Sequence, residues 1–171
     1  MILDWLRIFR KWLRPAPARA NGALDLHAFR RCTPTLARAR EIAAGAGRGQ
    51  VGDAEILLAL LEHELIHATL VRTEVDPAAV RAAIGSGMRP GGHDVPLGDL
   101  PFGASAHAVL AQAAAEAGER GNDVINPLHL LAGLLRNPRS PACIALASCG
   151  CNLERLREFA SGPERGPSTR L

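Results

Sequence analysis

His63-Glu64-Leu65-Ile66-His67 fits the pattern His-Glu-x-x-His. On a continuous helix, histidines at i and i+4 share one face and can bind zinc, and the glutamate between them can act as general base on a metal-bound water. A catalytic centre of that kind also needs a third ligand and an open coordination position. Glu74, Asp76 and His93 are the nearby candidates, none at a familiar spacing, and no glycine follows His67 as the extended motif requires. A small zinc-dependent hydrolase using His63, Glu64 and His67 is thus the enzymatic reading of the chain. A surface histidine cluster, or an incidental metal site, is its competitor.

Other residues with chemical potential are fewer. Cys143, Cys149 and Cys151, with His129, invite a metal reading, but Cys-x5-Cys-Gly-Cys is no recognised zinc knuckle and no Cys-x-x-Cys occurs. Buried thiols serving as small apolar residues fit better. Lys11 is the only lysine, placed between Arg10 and Trp12, so the Gly-Lys-Ser/Thr ending of a phosphate loop is absent. The formal charge of +3 and pI near 9.0 suggest nucleic acid only weakly. Arginines are interspersed with Glu41, Glu116, Glu119, Glu154 and Glu158, and basic and aromatic residues interleave only in the first turns. No cleavable signal peptide is expected, because Asp4, Arg7, Arg10 and Lys11 break the first apolar stretch. A reducing cytoplasm without disulfides follows as the expectation.

The elements that would carry these residues are helical throughout. Residues 1–14 read as an amphipathic helix, with Ile2, Trp5, Leu6, Phe9, Trp12 and Leu13 on one side and Arg7, Arg10, Lys11 and Arg14 on the other. It suits packing on its own domain or in a dimer, an anionic membrane surface, or a partner's groove. Trp5, Phe9 and Trp12 are its candidate contact residues. Pro15 and Pro17 end it, and residues 15–23 read as a linker.

The remainder is written twice. Gly52-Asp53-Ala54-Glu55 leads into Ile56–Leu61, and Asn126-Pro127-Leu128-His129 into Leu130–Leu135. Val75-Asp76-Pro77 to Arg81 is echoed by Cys151-Asn152-Leu153 to Arg157. A half of roughly 55 residues buries too little surface to stand comfortably alone, so two halves must share one core. The expected domain is 24–160, with repeat one at 24–84, a Gly/Pro-rich linker at 85–101 that argues against ordered helix, and repeat two at 102–160. A frayed tail follows at 161–171. Thr33-Pro34, Asp76-Pro77, Asn126-Pro127 and Ser140-Pro141 read as cap-plus-proline helix starts, with Asp53 and Asn152 as further caps. The same alignment puts Glu62-His63-Glu64 at a junction between two helices, which would break the zinc motif, and matches Cys151 with the core residue Val75. About four helices per repeat result, with no run alternating at period two.

This doubled pattern resembles the N-terminal domain of the Clp ATPases. There each half opens with Phe-Thr-Pro and continues through Gly-Thr-Glu-His-Leu-Leu-Leu-Gly-Leu-Leu to Gly-Val-Asp-Leu-x-x-Leu-Arg. Here the opening appears as Cys32-Thr33-Pro34 and Phe102-Gly103-Ala104, the centre as Gly52–Leu61 and Asn126–Leu135, and the end as Val75–Arg81 and Cys151–Arg157. Repeat two matches better, and repeat one is shortened around Gly45-Ala46-Gly47.

The resemblance implies two pseudo-symmetric four-helix repeats that dock substrates and adaptor proteins for an ATPase ring. It also implies a stand-alone, non-enzymatic member without the motor or a cofactor. Some family members bind phosphorylated arginine through the glutamate of Gly-Thr-Glu-His. Ala54 and Leu128 hold that position here, and Gly103 stands opposite the surviving Thr33. Without acidic acceptors for a guanidinium, an apolar groove for a helix or extended peptide is the expectation. Thr33, Ala54, Glu55, Leu128 and His129 are its candidate residues. A Clp-type ATPase, its substrates or its adaptors are the expected partners.

Overall fold

A computed structural model of the chain describes residues 27–88, 91–92 and 100–162. The expected N-terminal helix, with Trp5, Phe9 and Trp12, and most of the tail lie outside them. Eight helices run through the described residues: α1 Thr33–Gly45, α2 Asp53–Leu61, α3 Glu64–Arg72, α4 Pro77–Gly87, α5 Ala104–Glu119, α6 Pro127–Leu134, α7 Pro141–Ser148 and α8 Leu153–Ser161. No strand is present among the described residues, and the sole bridge joins Val51 to Phe102. The all-α expectation of two repeats, α1–α4 and α5–α8, holds.

Two short helices form the centre. Every residue of α2 is buried, and seven residues of α6, from Pro127 to Leu134, are buried too. A helix apolar on all sides must be surrounded. Accordingly α2 packs on α1, α3, α4, α5, α6 and α7, while α6 packs on α2, α3, α5 and α8. The repeats interlock, because α4 packs on α7 and α3 on α8. α5 and α6 approach closely: a Cβ on Gly133 would stand 2.6 Å from the Ala113 nitrogen and 2.8 Å from the Val109 carbonyl oxygen.

The duplication can be followed residue by residue. Gly47 and Gly121, Val51 and Ile125, Gly52 and Asn126, and Glu55 and His129 keep one spacing of 74. Gly47 and Gly121 both take positive φ, 65° and 67°, beyond the ends of α1 and α5. Helices α3 and α7 also end alike. The Val75 N–H donates to the Leu70 carbonyl (3.0 Å) and the Cys151 N–H to the Leu146 carbonyl (3.1 Å), each in a Schellman turn. The turn residue is Gly150 (φ 79°) in one and Glu74 (φ 63°) in the other. Val75 and Cys151 are both buried, so this thiol fills a valine's place. As expected for a shortened first copy, α1 has 13 residues against 16 in α5.

Most helix starts follow the sequence. Asp76, Asn126, Ser140 and Asn152 accept backbone N–H bonds from Ala78, His129, Cys143 and Arg155. Three expectations need correction. Thr33 is not a cap: Cys32 precedes α1 with helical φ and ψ, since the turn closed by Cys32 N–H on the Phe29 carbonyl (2.7 Å) runs straight into the helix. Asp53 does not cap its own helix either, and its carboxylate goes to another one. Third, α4 continues to Gly87, inside the presumed linker. Met88 N–H donates to the Ile84 carbonyl and Ser86 Oγ to the Ala83 carbonyl, which outweighs the modest helix penalty of glycine.

Candidate protein-binding site

The starts of α2 and α6 are built by exchange between the repeats. Val51 N–H donates to the Pro101 carbonyl and Gly103 N–H to the Val51 carbonyl, both at 2.8 Å. In the other half, Ile125 N–H donates to the Ala28 carbonyl at 2.9 Å, and the Cys32 thiol to the Ile125 carbonyl at 3.4 Å. Each repeat's leading segment therefore holds the other repeat's central helix. Thr33, which is exposed, follows Cys32 and is brought to the start of α6. Ala54 sits beside the start of α5, where Asp53 N–H donates to Ser105 Oγ (3.2 Å).

Glu55 and His129 occupy the third position of their helices and turn back onto the cap. Glu55 Oε2 accepts the Gly52 N–H at 2.7 Å. His129 Nδ1 accepts the Asn126 N–H at 3.2 Å, while Asn126 Oδ1 accepts the His129 N–H at 3.1 Å. This is the reciprocal arrangement of a capping box. The far atom of each side chain meets the residue seven positions earlier. Arg48 Nε lies 3.4 Å from Glu55 Oε1, and the Asn122 amide lies 3.3 Å from His129 Nε2. Because Nδ1 accepts, the neutral ring carries its proton on Nε2 and needs the Asn122 oxygen opposite it. Burial, and then the Arg120 charge, hold the His129 pKa below its ordinary value against the opposing pull of Glu116. Both side chains are buried, 0% and 2% exposed, so they shape the site from beneath.

At these starts Thr33 is exposed and Leu128 half-buried, while Ala54 is buried at 8% exposure. No carboxylate stands at the positions that would hold a guanidinium.

The zinc motif does not form its helix. α2 ends at Leu61, and His63 caps α3 with extended backbone (φ −84°, ψ 122°), its Nδ1 accepting the Leu65 N–H at 3.3 Å. His63 therefore lies outside the helix that carries Glu64 and His67. Among the described residues no three His, Cys, Asp or Glu side chains gather to hold a metal ion. Cys32, Cys143 and Cys151 are not activated. Burial pushes the Cys32 thiol up to about 12 and the Cys151 thiol to about 11, and raises Cys143 as well.

Two features had no sequence signal. Buried Glu116 is ringed by Arg120, Arg136 and Arg157; only the packing brings α5, the segment after α6 and α8 together there. A shallow groove of about 360 Å³ lies beside α3 and α4, lined by Leu61, His67, Pro77, Ala78, Arg81 and Ala82.

The geometry defines a duplicated all-helical domain whose repeats share one core. Residues 101–165, the second repeat, match the Clp repeat (R) N-terminal domain. Solved structures agree in fold. The N-terminal domain of the chaperone ClpD from Arabidopsis thaliana is 20% identical, with 82% of this chain and 96% of that one covered and a TM-score of 0.67. The Hsp104 N-terminal domain from Candida albicans is 14% identical, covering 81% and 91%, at TM-score 0.69. The N-terminal domain of the ClpV1 ATPase of the E. coli EAEC Sci1 type VI secretion system is 21% identical, covering 92% and 90%, at TM-score 0.58. A search of curated proteins by sequence found no match. No helix among the described residues is long and apolar enough to cross a membrane.

Proposed function

We propose that the protein is a non-enzymatic protein-binding module that serves as adaptor or regulator of Clp-type ATP-dependent unfolding and degradation in the cytoplasm. It docks substrate or adaptor proteins on the apolar surface at the starts of the two repeats. The observation that carries this reading is the Clp N-terminal fold with Ala54 and Leu128 where a phosphoarginine-binding relative would place acids. An apolar surface beside two capped helix starts suits a hydrophobic helix or extended peptide. Thr33 and Leu128 stand at one half of this surface, and exposed Ser105 beside the buried Ala54 stands at the other.

The test is affinity capture with the full chain from its own cells, comparing wild type with Leu128→Asp and Ala54→Asp. A Clp-type ATPase, or its adaptor or substrate proteins, should be retained by the wild type and lost with the variants. Wild-type protein that retains none of them contradicts the proposal.

A further inference from the structure

We propose that Cys149 and Cys151 form a reversible oxidation site, a thiol pair that a hydroperoxide closes into a disulfide across Gly150. Three of the four cysteines, Cys143, Cys149 and Cys151, lie close together in the sequence, and all are free thiols. Cys149 follows the last residue of α7 with φ −89° and ψ 14°. Gly150 then turns left-handed at φ 79°. A left-handed residue mirrors a helical one, so the Cα atoms on either side of it stand about 5.4 Å apart, as across one helical residue. Disulfides span about 4.4–6.8 Å between Cα atoms. Cys151 is buried, and half-buried Cys149 packs against the same core. Burial, then the neighbouring Cys143 and Cys149, push the Cys151 thiol up to about 11.

The first repeat builds the same turn without sulfur. Thr73, Glu74 and Val75 hold the places of Cys149, Gly150 and Cys151. Thr73 has φ −95° and ψ 14°. Its N–H donates to the Leu70 carbonyl (3.0 Å), as the Cys149 N–H does to the Leu146 carbonyl (3.1 Å). Thr73 Oγ1 donates to the Thr69 and Leu70 carbonyls, whereas the Cys149 thiol donates to no carbonyl among the described residues. The turn therefore asks for small side chains at these two positions and not for thiols. Packing accounts for Cys151 in a valine's place. It does not account for a second, uncommitted thiol two residues earlier.

Cys149 is the more open of the two, so its sulfur, as thiolate, attacks one peroxide oxygen. The O–O bond breaks, an alcohol or water leaves, and Cys149 becomes a sulfenic acid. The Cys151 sulfur gives up its proton and attacks the Cys149 sulfur. The S–O bond breaks, the S–S bond forms and water leaves. Two thiols and one hydroperoxide thus yield one disulfide, one alcohol and one water. In a reducing compartment the dithiol is the resting state, and a pair of this kind closes transiently. A disulfide closing so small a ring is strained and readily reduced. The site stands apart from the repeat starts read as the partner surface.

The full chain is treated with hydrogen peroxide and its remaining thiols are alkylated. Mass spectrometry then follows the intact protein and the tryptic peptide 140–155, which holds all three cysteines. The wild type should lose two hydrogens, with Cys143 still alkylated and the new bond between Cys149 and Cys151, and dithiothreitol should restore both thiols. Cys149→Thr and Cys151→Val should abolish the loss, and Cys143→Ala should keep it. The first two install the residues that the repeat-one turn already uses, and circular dichroism checks the fold of each variant. A wild type that stays unreacted, or that gains oxygen without losing two hydrogens, overturns the proposal. So does a bond that survives Cys151→Val, joins Cys143, or links two chains.

Discussion

The Asp53 carboxylate, on the first turn of α2 in repeat one, accepts the Ala142 backbone N–H on the first turn of α7 in repeat two at 3.1 Å. Ser140 Oγ accepts the next amide, that of Cys143, at 3.2 Å. One first-turn amide of α7 is therefore satisfied from its own repeat and the other from the opposite repeat. The counterpart of Asp53 is Pro127, which has no carboxylate, and the corresponding helix α3 uses its own His63 instead. Asp53→Ala should lower stability by about 1–3 kcal/mol, through a lost cap and an unpaired buried amide. Asp53→Asn, which keeps an acceptor oxygen, should lose less. Urea unfolding of the two variants checks the order.

Glu74 takes a left-handed conformation where its counterpart Gly150 pays no steric cost. Glu74→Gly should raise stability by about 0.5–1 kcal/mol, and Gly150→Ala should lower it by a similar amount. Thermal melts should show opposite shifts. Equal signs would mean that the two turns are not equivalent.

Gly133 lets α6 lie against α5. A methyl group there would collide with backbone of Val109 and Ala113, which cannot swing aside as a side chain could. Gly133→Ala should cost about 1–3 kcal/mol despite alanine's better helix propensity. The repeat-one counterpart is already Ala59, so substitution of Ala59 by glycine should not stabilise.

His129 gives the domain an acid-sensitive point. Its pKa lies below the ordinary 6.5 because burial opposes the charged form. A depressed folded pKa contributes stability above the unfolded value, and that stability is lost as pH falls through the folded value. Protonation would also put a hydrogen on Nδ1, against the Asn126 N–H it accepts. The unfolding midpoint should fall as pH drops below about 6.5. His129→Gln, which can still accept that bond but cannot titrate, should flatten the fall. A wild type and variant with the same pH profile would remove His129 from this role.

Much of the architecture was legible because repetition is a sequence property. The matching of Gly52–Leu61 with Asn126–Leu135 placed the two central helices, and the junction it implied at His63 explains why the zinc pattern has no helix to sit on. Prolines after Asp76, Asn126 and Ser140 marked helix starts through the local chemistry of caps. Thr33 failed as a cap because an upstream turn, invisible in residue preferences, continues into α1. Asp53 failed because its partner lies far along the chain, in the other repeat. Glu55 and His129 were singled out as surface contacts, yet both are buried supports. Their position in the third helical place favours turning back onto the cap, and only packing decides which face of so apolar a helix remains outside. The same holds for Glu116, whose arginines come from just past the ends of α5 and α6 and from α8.

The central claim is that partners dock at the paired helix starts. Titrating the isotopically labelled protein with a purified Clp-type ATPase, and following backbone amide resonances, tests it most directly. Saturable shifts should centre on Thr33, Ala54 and Leu128 and vanish in Leu128→Asp. An absence of shifts, or shifts confined to the opposite face, would contradict the account.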